Sequence, residues 1–414
     1  MKPTAKQVLI VGGGLAGLSC AIRLHEGGAL PLVLEGSDAV GGRVKTDLVE
    51  GFRLDRGFQV FLDSYPEAGS LLNIQQLNLR PFRPGALVFI DGRMHRVMDV
   101  FREPLEIIAS ALAPVGSVLD KLRVALLRLR LLRTSIPDIA QHEDLSTATY
   151  LRRAGFSTRM IDVFFRSFYG GIFLERDLRT SSRMFEFTFK MFSEGNATLP
   201  AKGMAEIPRS LASKLPPTAL RLNARVTSID RDAVTLDSGE RLCGATVVVA
   251  TDAASAADLI PQSTPANLAW NSVSCVYFSA PQSPLNEAII VLNGTGSGLV
   301  NNVCVPSDVS ADYAPTGLAL ISVSVLGTPE TENFESKVLE ELEAWFGRRV
   351  REWKHLRTDH IARALPSMLP GGDPKVGLLE RNGVLVCGDH CWSSSIEGAI
   401  ISGQAAAEAL LKRF

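Results

Sequence analysis

The stretch VLIVGGGLAG at residues 8–17 decides the fold of this chain. Its four leading apolar residues predict a short buried strand, and the residues after the glycines predict an apolar helix to about Glu26. A glycine pair at 27–28 ends that helix, and residues 30–34 predict a second strand that ends on Glu35. The sequence therefore predicts a strand-helix-strand unit of the Rossmann type.

Three glycines in this unit have the GxGxxG spacing of a nucleotide site. Gly12 permits the sharp turn out of the strand, Gly14 lets the backbone approach a pyrophosphate, and Gly17 lets the helix lie close to the sheet. The helix N-terminus at Leu15 and Ala16 offers N–H groups and the positive end of the helix dipole to phosphate. We therefore expect these five residues to contact a dinucleotide.

Glu35 follows the last glycine by roughly 20 residues, where a carboxylate accepts hydrogen bonds from both ribose hydroxyls of an adenosine. The same charge disfavours a 2′-phosphate. A glycine-rich loop in a plain α/β domain is the alternative interpretation. This unit alone does not distinguish NAD from FAD.

The motifs that follow Glu35 indicate which dinucleotide is bound. GGR stands at residues 41–43, and DRGFQVF stands at residues 55–61. With these motifs the chain resembles the family of flavin amine oxidases, protoporphyrinogen oxidases and phytoene or carotene desaturases. The resemblance implies FAD, with Gly42 and Arg43 extending the pyrophosphate site toward the flavin.

The C-terminal residues predict the other half of the site. GVLVCGD at residues 383–389 predicts a strand that ends in an acid, and SSSIEGAIISG at residues 393–403 predicts a helix start. The acid suits ribityl hydroxyls, and the helix N-terminus suits the negative charge that develops on a reduced flavin. This pattern also resembles the C-terminal signature of the family. The predicted contacts are Gly388, Asp389, Glu397, Gly398 and Ala399.

Two more contacts follow from the resemblance alone. Val226 lies in a strand predicted for residues 224–229 and matches the position whose backbone the family places against adenine. Thr251 follows the strand predicted for residues 245–250, at a junction that closes over the pyrophosphate in the family. No cysteine stands where some members attach their flavin covalently, so we expect non-covalent FAD.

The length of 414 residues accommodates two domains with full cores. We predict an α/β fold with a Rossmann-type FAD-binding domain, a parallel sheet with helices, formed by residues 1–85, 203–265 and 357–414. A substrate domain of mixed antiparallel sheet and helices is predicted for residues 86–202 and 266–356.

Composition argues against several other classes of protein. The net charge of −1 provides no field that would attract nucleic acid, so no such partner is expected. The six cysteines form no CxxC pair, which argues against a metal site and a disulfide framework and favours a reducing compartment. With a strand beginning by Val8 and no apolar run of about 20 residues, we expect a cytoplasmic protein.

Few side chains are candidates for catalysis, because flavin chemistry asks the protein mainly for orientation and an apolar enclosure. His390 and Trp392 adjoin Asp389 at the expected flavin edge, and Gln59 lies in the DRGFQVF motif. For His390, a hydrogen bond that supports the site is the alternative to substrate contact. Lys375 is the nearest candidate by position for the lysine of the amine-oxidase branch.

The run MFEFTFKMF at residues 184–192 predicts either a packed core or the wall of an apolar tunnel. The resemblance implies an FAD-dependent oxidoreductase, closest in pattern to carotenoid desaturases, that oxidises or desaturates an apolar small molecule by hydride transfer to flavin N5. O2 or a quinone is the expected electron acceptor. A flavin amine oxidase and a non-catalytic, redox-sensing flavoprotein are the alternatives.

LDKLRVALLRLRLLR at residues 119–133 carries five cations against one acid. One interpretation is an apolar and basic surface in peripheral contact with an anionic membrane. The other is a helix packed between neighbours, with its arginines reaching solvent or acids elsewhere. The charges do not form one stripe along the helix, and the sequence leaves both interpretations open.

Overall fold

The computed structural model describes residues 7–261, 268–371, 379–381 and 383–414. One of its two large sheets has six strands, and neighbours in it run parallel except for the pair at the C-terminal edge. In spatial order the strands are Leu220–Arg221, Leu30–Leu34, Gln7–Val11, Thr246–Val249, Val384–Val386 and Leu379–Arg381. The predicted strand-helix-strand unit is confirmed, with helix Leu15–Glu26 between its strands.

Helix Leu15–Glu26 packs against the C-terminal helix Ile396–Leu411, so distant parts of the chain share one core. Glycine makes this contact close, since a Cβ on Gly403 would lie 2.1 Å from the carbonyl oxygen of Ala16. The hydroxyl of Ser19 donates to the carbonyl of Ile400 at 3.1 Å across the same contact.

The second large sheet has seven strands and belongs to the region predicted to bind substrate. In spatial order they are Lys354–Pro366, Trp270–Ala280, Ala319–Leu326, Val300–Cys304, Ile290–Asn293, Gly85–Ile90 and Arg93–Met98. All neighbours are antiparallel except the fifth and sixth strands, which run parallel. The α/β class with a parallel sheet and a second, mixed sheet is confirmed.

Strand Lys354–Pro366 runs across the boundary predicted at residue 357. It pairs along its length with Trp270–Ala280, so these residues belong to the seven-stranded sheet and not to the nucleotide-binding region. The strand forms an edge of the sheet and is largely half-exposed or exposed. Its polar sequence follows from that position, because an edge strand needs no continuous apolar run. The division into two domains otherwise remains our prediction.

Smaller sheets and helices complete the described residues. The smaller sheets consist of the strands Thr46–Val49 and Phe52–Asp55; Phe61–Leu62, Leu79–Pro81 and Ala197–Pro200; and Val226–Ile229, Ala233–Leu236 and Arg241–Cys243. The remaining α-helices are Pro66–Leu71, Ile74–Leu77, Ile107–Leu112, Val118–Arg133, Ile136–Ile139, Thr147–Arg153, Thr158–Met160, Arg166–Phe173, Ser182–Glu194, Glu206–Ala212, Ala253–Leu259, Pro306–Val309 and Phe334–Phe346. A π-helical turn, Ile161–Phe165, precedes Arg166–Phe173.

Asp55 joins the hairpin of the nucleotide-binding region to the substrate-binding region. Its buried carboxylate accepts hydrogen bonds from the Thr46 hydroxyl at 2.5 Å, the Met204 N–H at 3.0 Å and the Tyr313 hydroxyl at 2.8 Å. The Tyr277 hydroxyl donates to the Asp55 carbonyl. Burial raises the pKa of the Asp55 carboxyl to about 6, although these donors favour its charged form.

We expect this carboxyl to make stability depend on pH. Because its folded pKa lies above its ordinary value, the folded protein binds more protons than the unfolded chain between about pH 4 and pH 6, and the free energy of unfolding falls as the pH rises through this range. The stability of the wild type relative to Asp55→Asn is therefore expected to fall by about 3 kcal/mol between about pH 4 and pH 7. Urea unfolding at each pH measures this difference, and parallel profiles for the two proteins would contradict it.

Candidate functional site

The glycine loop opens the N-terminus of helix Leu15–Glu26 toward free space. Gly12 has a φ of +109°, and a Cβ there would lie 2.8 Å from the carbonyl oxygen of Ala250. Gly14 is the N-cap residue, and no side chain caps this helix. A Cβ on Gly14 would meet no atom within 4 Å. The N–H groups of the first turn, beginning at Leu15, are therefore directed toward open space.

Gly17 and Gly42 bring the backbone segments of the loop close together. A Cβ on Gly17 would lie 2.0 Å from the carbonyl oxygen of Gly12, which explains the glycine at the third position of the motif. The Gly41 N–H donates to the Gly13 carbonyl at 2.9 Å, and a Cβ on Gly42 would lie 3.5 Å from the Gly14 Cα. The structure thus brings the GGR motif against the glycine loop, while its role in binding the pyrophosphate stays a prediction.

Glu35 lies over the same loop. Its Oε2 accepts from the Gly13 N–H at 2.7 Å, and its Oε1 accepts from the N–H and hydroxyl of Ser37 at 2.9 and 2.7 Å. A carboxylate has roughly four acceptor positions, so these bonds leave it able to accept from a ligand hydroxyl as well. Gly13 and Ser37 were missed by the sequence analysis, which considered Glu35 only as a partner of ribose.

Arg43 links the two halves of the site. Its Nη2 lies 2.7 Å from the Asp389 Oδ1, and its Nη1 donates to the Ala364 carbonyl at 2.9 Å. The guanidinium carbon also lies 5.6 Å from the centre of the Trp270 ring. Asp389 is nearly buried, so the arginine compensates a carboxylate that burial would otherwise destabilise. No sequence motif indicated Trp270 or Ala364 as partners of Arg43.

His390 is a buried imidazole without a hydrogen-bond partner among the described residues. Neither ring nitrogen has one, and its Nδ1 lies 4.0 Å from the Asp389 Oδ1. Burial lowers the pKa of His390, although the charge of Asp389 opposes this. The ring packs on Gly388, where a Cβ would lie 2.5 Å from it. Buried polar atoms usually have partners, so this ring indicates a ligand at the site.

The start of the C-terminal helix differs from its predicted role. The Gly398 N–H donates to the Ser395 hydroxyl at 2.9 Å, and the Ala399 N–H donates to the Ser395 carbonyl at 3.0 Å. These two predicted donors are therefore already used by the cap and the first turn. The buried Glu397 carboxylate accepts from the N–H groups of Glu67 and Ala68 at 2.8 and 2.9 Å. It thus caps helix Pro66–Leu71 from a distant part of the chain, which no local pattern indicated.

The other predicted site residues differ in their burial and in the groups that they contact. Val226 begins its strand and is half-buried. The Thr251 nitrogen lies 3.1 Å from the position of a Cβ on Gly12, beside the glycine loop. Gln59 donates to the Arg43 carbonyl at 3.0 Å, so it orients that segment, and Trp392 is 45% exposed. Lys375 lies outside the described residues.

A small cavity lies between the helices of the substrate-binding region and the segment that precedes the C-terminal helix. Its volume is about 10 Å³, roughly the space of one water. Ser394, Asn271 and Thr180 supply its polar groups. Its apolar lining consists of Phe173, Met184, Leu365, Pro366 and Met368. One member of the 184–192 run therefore lines the cavity, whereas Phe185 and Met191 lie in the core.

A family model described as flavin containing amine oxidoreductase matches residues 15–411. The chain belongs to this family. The predicted resemblance to this family is therefore confirmed.

Curated relatives match the chain over part of its length. A 15-cis-phytoene desaturase of Glycine max is 25% identical over 169 residues, 38% of this chain and 30% of that protein. An L-amino-acid oxidase of Bungarus fasciatus is 27% identical over 246 residues, 55% of this chain and 46% of that protein. The chain thus spans less than half the length of these curated relatives.

Solved structures share the fold over nearly the whole chain. An oxidoreductase from Methanosarcina mazei has a TM-score of 0.77 at 17% identity and covers 97% of this chain and 100% of its own. Cyclohexylamine oxidase from Brevibacterium oxydans has a TM-score of 0.67 at 19% identity and covers 98% and 99%. At these identities the likeness shows the fold alone.

Two observations show that the described residues of this chain fit FAD. The uncapped helix N-terminus at Gly14 has open space where a pyrophosphate would lie. The buried ring of His390 has two nitrogens that need partners. FAD supplies an acceptor for the hydride of the substrate when it is bound.

Glu35→Ala is expected to weaken FAD binding about ten- to hundredfold, because ribose hydroxyls lose charge-assisted bonds worth roughly 1.5–3 kcal/mol. Equilibrium titration of the apoprotein with FAD measures the loss. Ser37→Ala is the matched control, since it removes one donor to the carboxylate and leaves the carboxylate in place. Equal affinities for wild type and Glu35→Ala would show that this carboxylate does not contact ribose.

Proposed function

We propose that this chain oxidises or desaturates an apolar small molecule on non-covalently bound FAD, with O2 or a quinone as the electron acceptor. The observation that carries the proposal is the lining of the cavity beside Ser394. Five of its eight lining residues are apolar, and two of those, Met184 and Phe173, belong to the aromatic-rich helices of the substrate-binding region. Methionine has a flexible side chain, which suits a wall that must move aside for a substrate.

In this proposal the chain holds and orients FAD with residues from both ends of the sequence. The glycine loop and Glu35 bind the pyrophosphate and the adenosine ribose. Arg43 contributes positive charge toward the phosphates and holds Asp389 in place. In its neutral form, which burial favours by lowering the pKa of the ring, His390 offers one donor and one acceptor to the polar chain of the cofactor. The apolar side chains that line the cavity would exclude water from a substrate held against them.

Oxidation of an amine is the second candidate function, and one carboxylate favours it. The Oε1 of Glu175 accepts from the N–H and the hydroxyl of Thr180, which lines the cavity. The Oε2 of Glu175 is buried and has no hydrogen-bond partner among the described residues. Glu175 does not itself line the cavity, so a protonated amine would satisfy this oxygen only if the cavity were enlarged past Thr180.

Anaerobic bleaching of the flavin distinguishes the two functions. The purified protein is expected to be yellow and to release FAD when it is denatured. Polyenes are expected to bleach it, whereas amines are expected to leave its colour unchanged. Glu175→Gln is expected to bleach with polyenes as the wild type does. Bleaching by amines alone, lost in Glu175→Gln, would replace the proposal by an amine oxidase.

A further inference from the structure

Residues 101–133 carry an unusual concentration of exposed apolar side chains, which we call the leucine face. Eleven of the seventeen large hydrophobic side chains that are exposed in the described part of the chain lie here. Leu105 is 95% exposed and Leu112 is 78% exposed, and Leu119, Leu122 and Leu126 project from helix Val118–Arg133. Exposed apolar patches of this kind mark protein or membrane contacts.

The charged groups of the same segment are directed elsewhere. Arg128 pairs with Asp99 at 2.7 Å, and Arg130 pairs with the buried Glu186 at 2.6 Å. Asp120 is fully buried and accepts hydrogen bonds from the cap residue of its own helix and from a neighbouring turn. The arginines therefore behave as the packed-helix interpretation predicted, while five leucines of the same helix are exposed: Leu119, Leu122, Leu126, Leu129 and Leu132.

The exposed charges that remain in this segment are all positive. Each acid between residues 101 and 133 is buried or half-buried, whereas Arg130 and Arg133 are exposed at the end of helix Val118–Arg133. A surface without exposed carboxylates and with cations only at its edge is not repelled by lipid phosphates, so its charges permit close contact with a bilayer. A protein partner would instead need hydrogen-bonding groups, about one for every 100–200 Å² of contact, which the leucines do not offer.

We propose that the leucine face docks on a lipid bilayer by inserting its side chains among the acyl chains. The contact is peripheral, since among the described helices none has both the length and the apolar character needed to cross a bilayer. Because the cations are largely engaged by acids of the protein, apolar burial drives the docking and charge contributes little. This differs from the basic surface that the sequence suggested.

The buried apolar cluster behind the leucine face extends to the cavity, and its interpretation as an apolar route for the substrate rests on the proposed function. The inner side of helix Val118–Arg133 places Leu127 and Leu131 in one buried cluster with Phe173 and Met184. Phe173 and Met184 also line the cavity beside the C-terminal helix. An apolar substrate dissolved in the bilayer would thus meet apolar side chains along this route.

Vesicle co-sedimentation of the holoprotein tests the docking. The wild type is expected to bind phosphatidylcholine vesicles and vesicles that also contain phosphatidylserine, at low and at high salt. Leu122→Gln/Leu126→Gln is expected to lose about a hundredfold in affinity, because two side chains no longer enter the acyl region. Leu48→Gln/Leu318→Gln is the matched control, since it changes two exposed leucines outside the leucine face. Both variants are expected to keep the wild-type melting temperature and FAD content.

Several results would overturn the proposal. Failure of the wild type to bind either vesicle would do so, and so would binding that needs phosphatidylserine and disappears in high salt. An equal loss of vesicle affinity in Leu48→Gln/Leu318→Gln would show that the leucine face contributes no more to binding than other exposed leucines do. A wild-type dimer that Leu122→Gln/Leu126→Gln converts to a monomer, without vesicle binding, would assign the face to a second copy of the chain. Bleaching by a substrate in detergent reports on the proposed function separately, so either proposal can fail alone.

Discussion

Gly14→Val is expected to fold normally and to purify without FAD. The φ of −73° and ψ of −179° at Gly14 lie in a region that any residue adopts, and an added Cβ would meet no protein atom within 4 Å. The open space beside it is where we place the pyrophosphate. A valine there would force at least about 3 kcal/mol of overlap with the cofactor, which lowers its affinity more than about a hundredfold.

Three measurements on Gly14→Val separate fold from cofactor binding. Circular dichroism and urea unfolding of the apoprotein are expected to match the wild-type apoprotein within about 1 kcal/mol, the cost of losing glycine at a helix N-cap. Titration of the apoprotein with FAD is expected to show an affinity more than about a hundredfold below that of the wild type. Gly69→Val is the control, because its Cβ also meets nothing within 4 Å, but it lies on helix Pro66–Leu71 away from the glycine loop. Normal FAD binding by Gly14→Val would place the pyrophosphate elsewhere.

Gly403→Ala is expected to have the opposite effect from Gly14→Val. It lowers the stability of the apoprotein itself, independently of FAD. Its single added carbon would lie 2.1 Å from the Ala16 carbonyl oxygen and 2.3 Å from the Ser19 hydroxyl. The carbonyl oxygen belongs to the backbone of a buried helix, and the hydroxyl belongs to a short side chain of the same helix. Neither atom can move away without disturbing the packing of that helix. We expect the free energy of unfolding to fall by about 3 kcal/mol, at the upper end of the usual cost of overpacking.

Urea unfolding of the Gly403→Ala apoprotein measures this effect. Gly69→Ala makes the same chemical change in a helix where the new carbon meets no neighbour, and there it is expected to be neutral or slightly stabilising. A Gly403→Ala protein as stable as Gly69→Ala would mean that the two helices lie farther apart than the structure shows.

The sequence was sufficient for features that depend on neighbouring residues. The GxGxxG spacing predicts the turn at Gly12 and the close helix at Gly17, because each glycine answers a local steric demand. Asp389 was predicted to end a strand, whereas the strand ends at Val386 and Asp389 begins a short 3-10 turn. The strand Val384–Val386 and the helix Ile396–Leu411 lie where the pattern placed them.

Features that depend on distant residues could not be predicted in the same way. The contact of Arg43 with Trp270, and that of Glu397 with the N–H groups of Glu67 and Ala68, join positions more than 200 residues apart. Nothing in the local pattern around either residue distinguishes such partners from solvent. Strand Lys354–Pro366 was missed because an edge strand keeps polar residues on its open side.

The order of strands in the nucleotide-binding sheet has a consequence for synthesis of the protein. Gln7–Val11 lies between Leu30–Leu34, which follows at once, and Thr246–Val249, which is made much later. Val384–Val386 and the helix that covers Leu15–Glu26 come later still. At roughly 5–20 residues per second, the ribosome takes on the order of half a minute to supply them. During that time one edge of Gln7–Val11 stays unpaired on the nascent chain, which makes it a place where chaperones are expected to bind and where slow translation favours aggregation.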